Sequence, residues 1–123
     1  MSVKIYEYPK CSTCQKALKF LTQKKIEFKK IDIVEQPPSL TEIKAMLQFL
    51  KTDGKTFKNL FNTSGVLYRE MEIAQKLKDG LSENDALKLL SQNGKLIKRP
   101  FLLENNFGTV GFNEDQWKKL LNQ

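Results

Sequence analysis

An α/β fold with a mixed sheet and a helical insertion is the architecture this sequence predicts, and three observations carry the prediction. First, the chain opens with a β-forming segment, a segment of helical periodicity and a second β-forming segment, which implies parallel strands joined by a right-handed crossover. Second, the middle is dominated by helical spacing and cap signals. Third, β-forming segments return around a tight turn near the end, so antiparallel strands join the parallel pair before a last helix.

Each element has its own signal. Val3 to Tyr8 alternates apolar and polar residues with β-formers, and Pro9 ends it. Cys14, Ala17, Leu18 and Leu21 fall at i, i+3, i+4 and i+7 and predict a helix. Ile26 to Val34 carries Ile26, Phe28, Ile31 and Ile33 and reads as a second strand, stopped by Gln36-Pro37-Pro38. Ser39-Leu40-Thr41-Glu42 fits a capping box, with Ile43, Met46, Leu47 and Leu50 as the buried stripe that follows. Thr56 to Asn62 is short and aromatic, and Asn62-Thr63-Ser64-Gly65 predicts a turn. Tyr68 to Lys78 reads as one helix broken by Asp79-Gly80, and Ser82 caps another that buries Ala86, Leu87 and Leu90 and ends near Asn93-Gly94. Strands are expected again at Leu96-Ile97 and Phe101-Leu103, with Asn105-Asn106-Phe107-Gly108 turning the chain back into Thr109-Phe112. Asn113 opens the last helix, with Trp117, Leu120 and Leu121 facing inward.

Composition bounds the function. The 123 residues suit one domain, and 40% apolar content supplies one core. There is no histidine, so a Ser-His-Asp triad, a Cys-His pair and a histidine metal site are all excluded. Two cysteines provide half of a tetrahedral zinc site at most, and no metal is expected. The net charge is +7, but the lysines are scattered and do not interleave with aromatics, so a solvated surface is expected rather than a DNA-binding face. No apolar run is long enough for a membrane span, and the N-terminal residues lack the pattern of a secretory signal. A cytoplasmic protein without membrane partners is expected, in a compartment where structural disulfides are rare.

Cys11-Ser12-Thr13-Cys14 carries the chemistry. A CxxC between a first strand and a first helix reads as a thioredoxin-like redox motif. Free N–H groups and the macrodipole at a helix N-terminus favour an anion, and thiols so placed fall from ~8.5 to ~3.5–7.5 in pKa. Cys11, nearer the helix start and flanked by Lys10, is the expected nucleophile; Cys14, on the buried stripe, is the expected resolving thiol. The alternative is a pair of small, inert, buried residues. Lys98-Arg99-Pro100 precedes the third strand. A proline there marks a ladder end or a cis bond, and if that strand lies beside the first, Arg99 can reach the thiolate.

Taken together, these residues resemble the arsenate reductase (ArsC)/Spx family over nearly the whole chain. Tyr8-Pro9-Lys10-Cys11-Ser12-Thr13-Cys14 resembles the family's opening, and Glu35-Gln36-Pro37-Pro38-Ser39 the exit from its second strand. Lys98-Arg99-Pro100 resembles its Arg-Pro signature, and Gly111-Phe112-Asn113-Glu114-Asp115 the start of its last helix. Phe61 to Gly65 with Tyr68-Arg69-Glu70 is most similar to the YusI-like branch. The resemblance implies a thioredoxin-like fold with a mixed four-stranded sheet: one domain over residues 1–123, with a core of 1–38 and 95–123 and a helical insertion of about 39–94. It implies that Cys11 is catalytic, that Arg99 binds an oxyanion and that Pro100 is cis. Lys10, Ser12, Thr13, Asn62 and Pro100 are then candidate binding residues around Cys11, Cys14 and Arg99.

Three functions follow from the resemblance. One is a thiol-disulfide oxidoreductase with no bound cofactor, a small or protein thiol partner, and glutathione/glutaredoxin or thioredoxin as external reductant. The second is glutaredoxin-coupled arsenate reduction. Asn62 and Phe112 stand where those reductases carry further arginines, and Cys14 where they usually carry Ser, so poor arsenate turnover is expected. The third is a redox-sensing regulator that, like Spx, contacts RNA polymerase rather than DNA. A monomer is expected.

Overall fold

Four strands form one mixed sheet in the order β2-β1-β3-β4 in the structure, a computed structural model that describes residues 2–123. The parallel pair is β1 (Ser2–Glu7) with β2 (Glu27–Asp32), Val3 opposite Phe28 and Glu7 opposite Asp32. The antiparallel pairs are β1 with β3 (Phe101–Leu103), Ile5 opposite Leu102, and β3 with β4 (Gly108–Val110). Helix α1 (Ser12–Gln23) connects the parallel strands, and α6 (Glu114–Leu120) closes the chain. Between β2 and β3 run α2 (Leu40–Thr52), a 3-10 turn at Phe57–Leu60, α3 (Val66–Glu70), α4 (Ile73–Lys78), α5 (Glu83–Gln92) and a second 3-10 turn at Gly94–Leu96. This is the thioredoxin-like arrangement expected.

The alternation of β1 builds two cores. Val3 and Ile5 face Ala17, Phe20 and Leu21 of α1, with Leu102, Trp117 and Leu121 completing that layer. Tyr6 faces the other way, into Ile31, Ile33, the α2 stripe Ile43, Met46, Leu47 and Leu50, and Ala86, Leu87 and Leu90 of α5. Caps set where the helices begin. Ser39 and Glu42 form the expected capping box, and the Ser82 hydroxyl accepts from the Asp85 N–H at 3.1 Å.

Three elements differ from the sequence expectation. Leu96-Ile97 is not a strand: Gly94–Leu96 is a 3-10 turn, and Ile97 makes a single bridge to Phe61. Gly94 lies so close to the end of β2 that a Cβ there would sit 1.8 Å from the Ile33 carbonyl oxygen, and this approach leaves no room for a ladder. The helix expected over Tyr68 to Lys78 is two helices, because Glu72 adopts a left-handed φ of 52° between α3 and α4. Finally, β2 stops at Asp32, whose Oδ1 accepts from the N–H groups of Val34 (2.8 Å) and Glu35 (3.2 Å) and so turns the chain early.

Candidate active site

The turn Tyr8-Pro9-Lys10 delivers Cys11 to the start of α1, where its N–H donates to the Tyr8 carbonyl at 3.0 Å. Cys11 has extended backbone angles and is the N-cap of α1. Its Sγ accepts from the Cys14 N–H at 3.3 Å, the bond that Ser or Asp oxygens make at other helix starts. No acidic side chain occupies the first turn of α1. Cys11 is half-buried and Cys14 fully buried, and both are free thiols. Burial, then the hydrogen bond to Cys11, pushes the Cys14 thiol up to about 12, against a backbone hydrogen bond at Tyr8 and the charge of Arg99.

Cys11 lies on the wall of a cleft of about 900 Å³. Thr13 lines it from α1, Asn62 and Ser64 from the turn before α3, Lys98 and Arg99 from the segment before β3, and Gly111 and Phe112 from the link between β4 and α6. Gly111 belongs there for a physical reason. Its φ of +77° is one that side chains rarely adopt, its N–H donates to the Pro100 carbonyl at 2.8 Å, and Lys98 packs across it. The Arg99–Pro100 peptide is cis, and Pro100 is buried. The Arg99 guanidinium stacks 4.8 Å from the centre of the Tyr8 ring. A side hollow of about 180 Å³ shares Asn62 and Arg99 with the main cleft and adds Tyr8, Val66 and Leu67.

Of the residues singled out from sequence, Cys11, Thr13, Asn62 and Arg99 meet in this cleft, with Cys14 and Pro100 buried. Lys10 and Ser12 are exposed and outside its lining. Phe112 lines the cleft and packs edge-on to Trp117, ring centres 4.8 Å apart. Sequence reasoning missed Lys55 and Lys119, which line the same cleft; among so many scattered lysines nothing marked these two. It also missed Glu7. In step with Val3 and Ile5, Glu7 stands on the α1 face, 3% exposed, and its Oε2 has no hydrogen-bond partner. Burial raises the Glu7 carboxyl, with Lys30 opposing and Asp32 adding to the effect.

The ArsC family model matches residues 6–120. The chain belongs to the ArsC family. It is 45% identical over 119 residues to the protein YusI of Bacillus subtilis (strain 168), covering 97% of this chain and 98% of YusI. It is 32% identical to the global transcriptional regulator Spx of Enterococcus faecalis, covering 95% of this chain and 84% of that protein. Among solved structures, an ArsC-family-related protein from Bacteroides fragilis superposes with a TM-score of 0.88 at 41% identity, covering 98% of each chain. The expectation of an ArsC/Spx-family protein with affinity to YusI is met. Among the described residues, no helix is long and apolar enough to cross a membrane.

Proposed function

We propose that this chain is a cytoplasmic thiol-disulfide oxidoreductase in which Cys11 is the nucleophile and Cys14 the resolving thiol. The observation that carries the reading is the pairing of a half-buried sulfur capping α1 at the cleft wall with a second, fully buried thiol one turn behind it. The Cys11 thiolate attacks one sulfur of a disulfide RS–SR; the S–S bond breaks, a mixed disulfide forms, and RS⁻ leaves and takes up a proton. Cys14 then loses its proton to solvent and attacks the Cys11 sulfur, closing Cys11–Cys14 and releasing the second RS⁻. Two thiols are oxidised and one disulfide is reduced. Burial is the main reason the Cys14 thiol is held up; the mixed disulfide removes the smaller upward push of the Cys11 charge, so the first step eases the second. Arg99 offsets negative charge on the reacting sulfurs. No bound cofactor is needed; an external thiol system such as glutathione with glutaredoxin, or thioredoxin, returns the pair to the dithiol.

Reduction potentiometry on Cys11–Cys14 tests this directly. A reversible two-electron couple within reach of cytosolic thiols is expected, and Cys14→Ser should accumulate a mixed disulfide at Cys11. Failure of the pair to form a disulfide, or trapping at Cys14 in Cys11→Ser, sinks the proposal. The likeness to Spx, with the CxxC pair, favours a second reading in which the same couple signals to RNA polymerase; co-purification with polymerase separates the two. Arsenate reduction has less support, because Asn62 and Phe112 line the cleft where arginine forks would hold an oxyanion. Arsenate turnover with glutathione and glutaredoxin at the rate of a dedicated reductase would reverse that ranking.

A further inference from the structure

We propose that the cleft beside Cys11 selects disulfides borne on acidic peptides, and that Lys55 and Lys119 set this preference; the proposal rests on the thiol-disulfide reading above. The first argument is size. A cleft of about 900 Å³ lies at the upper end of the range that encloses ligands of many atoms, far beyond the needs of one tetrahedral oxyanion. The second argument is charge. Lys55, Lys98, Arg99 and Lys119 line the cleft against a single carboxylate, Asp115. The ion pairs of the described residues are Lys4–Glu42, Lys51–Glu83 and Lys118–Glu114, and none uses a cleft cation. None of these four cations is spent on an ion pair within the described residues; Arg99 stacks on Tyr8, and the three lysines keep their charges free for a ligand.

The third argument is their spacing in the fold. Lys55 comes from the turn after α2, Lys98 and Arg99 from the approach to β3, and Lys119 from α6. They ring the cleft from separate elements instead of converging on one point. Ammonium groups on flexible stems act as adaptable point charges, suited to several carboxylates along a peptide, whereas a compact oxyanion calls for planar forks. Between them, Val110 and Phe112 offer apolar wall. A cleft lined mainly by one sign of charge, with apolar wall between the charges, raises the local concentration of an opposite-charged substrate, by ~10–10³ in on-rate.

The test compares symmetric disulfides of Asp-Cys-Asp, Ser-Cys-Ser and Lys-Cys-Lys as substrates of the reduced protein. A parallel chemical-shift titration uses the cysteine-free peptides Asp-Ser-Asp and Lys-Ser-Lys. The acidic disulfide should be reduced with a kcat/KM about tenfold above the neutral one at low salt, the lysine disulfide slowest, and the differences should shrink at high salt. Lys55→Glu with Lys119→Glu should abolish or invert the order. Lys78→Glu with Lys88→Glu, on α4 and α5 outside the cleft, makes the same change in net charge and should preserve it. If the glutamate pair in the cleft fails to fold, Lys55→Gln with Lys119→Gln should still flatten the preference. Equal rates for the three disulfides, or equal loss in the cleft and control pairs, overturns the proposal. Reduction of all three without charge preference leaves the oxidoreductase reading standing alone. Asp-Ser-Asp binding at the cleft with no disulfide reduced does the reverse, keeping the acidic-peptide preference and removing the chemistry.

Discussion

The two faces of the sheet hold their carboxylates in opposite ways. On the face covered by the helices between β2 and β3, Glu42 of α2 accepts from the Lys4 ammonium at 2.7 Å, the Tyr6 hydroxyl at 2.7 Å and the Ser39 N–H at 3.1 Å. On the face covered by α1 and α6, Glu7 Oε2 and Trp117 Nε1 are buried with no hydrogen-bond partner. One layer is a satisfied scaffold that ties α2 to β1. The other carries polar groups whose potential is unspent, and it is the layer that holds Cys14. The difference teaches where stability and function are divided: Glu42 is held below the usual carboxylate range, since its hydrogen bonds to Lys4 and Tyr6 outweigh the upward push of burial, while Glu7 is driven above that range.

The contrast can be broken at its scaffold side first. Leu50 is fully buried in the α2 stripe, and Leu50→Ala should cost about 3 kcal/mol in chemical denaturation while leaving Cys11 the first cysteine alkylated. Loss of that labelling order would mean that the insertion helices shape the site as well as support it. Glu42→Ala should cost about 2 kcal/mol by leaving Lys4 and Tyr6 without their acceptor. The sign with pH follows from a lowered native pKa. The stability that Glu42 contributes is full above its unfolded pKa and fades as pH falls through the native one. Wild type should therefore lose stability on acidification more steeply than Glu42→Ala.

Glu7 has the opposite sign. Its native pKa is raised, so its contribution is full below the unfolded pKa and is lost as pH rises through the native one. Glu7→Gln, which stays neutral, should stabilise the protein at neutral pH by about 1 kcal/mol and flatten the pH dependence there. If Glu7→Gln is destabilising at neutral pH, the carboxylate has a partner in solution, and the two faces are less different than their hydrogen bonds indicate.

The legible part of the molecule was local. A Ser-x-x-Glu box, a Pro-terminated strand and a CxxC between strand and helix each report a short-range physical constraint, and Ser39, Pro9 and Cys11 all stand where that constraint put them. What stayed hidden was set by approach between distant segments. Nothing local in Leu96-Ile97 distinguishes an edge bridge from a strand; the decision is made by Gly94 against the Ile33 carbonyl. The break at Glu72 breaks the helical pattern without a Gly or Pro to announce it. Arg99 could be nominated from its place before Pro100 at the start of β3, a reading the family resemblance strengthened, but its stacking on Tyr8 could not, since 91 positions separate them. Lys55 and Lys119 acquire meaning only when the fold turns them toward one cleft.

The smallest effect sharpens the comparison at the point where the faces meet. Tyr8 follows β1 and packs with the layer of Tyr6, while Cys14 belongs to the α1 side; Arg99 bridges them, its guanidinium 4.8 Å from the Tyr8 ring and its charge acting on Cys14. A cation held over an exposed or half-buried ring gains ~0.5–1 kcal/mol. If that contact keeps Arg99 at the cysteines, Tyr8→Leu should slow alkylation of Cys11 by about two- to fivefold, since ~1.4 kcal/mol is tenfold in rate. Tyr8→Phe keeps the ring and should react as wild type does. The backbone bond from the Cys11 N–H to the Tyr8 carbonyl survives both changes, so the side chain alone is tested. In an Arg99→Ala background Tyr8→Leu should have no further effect, because a double-mutant cycle isolates the pair. An equal slowing in both backgrounds would assign the ring a packing role on its own layer, and Arg99 would then be positioned by the strand that carries it.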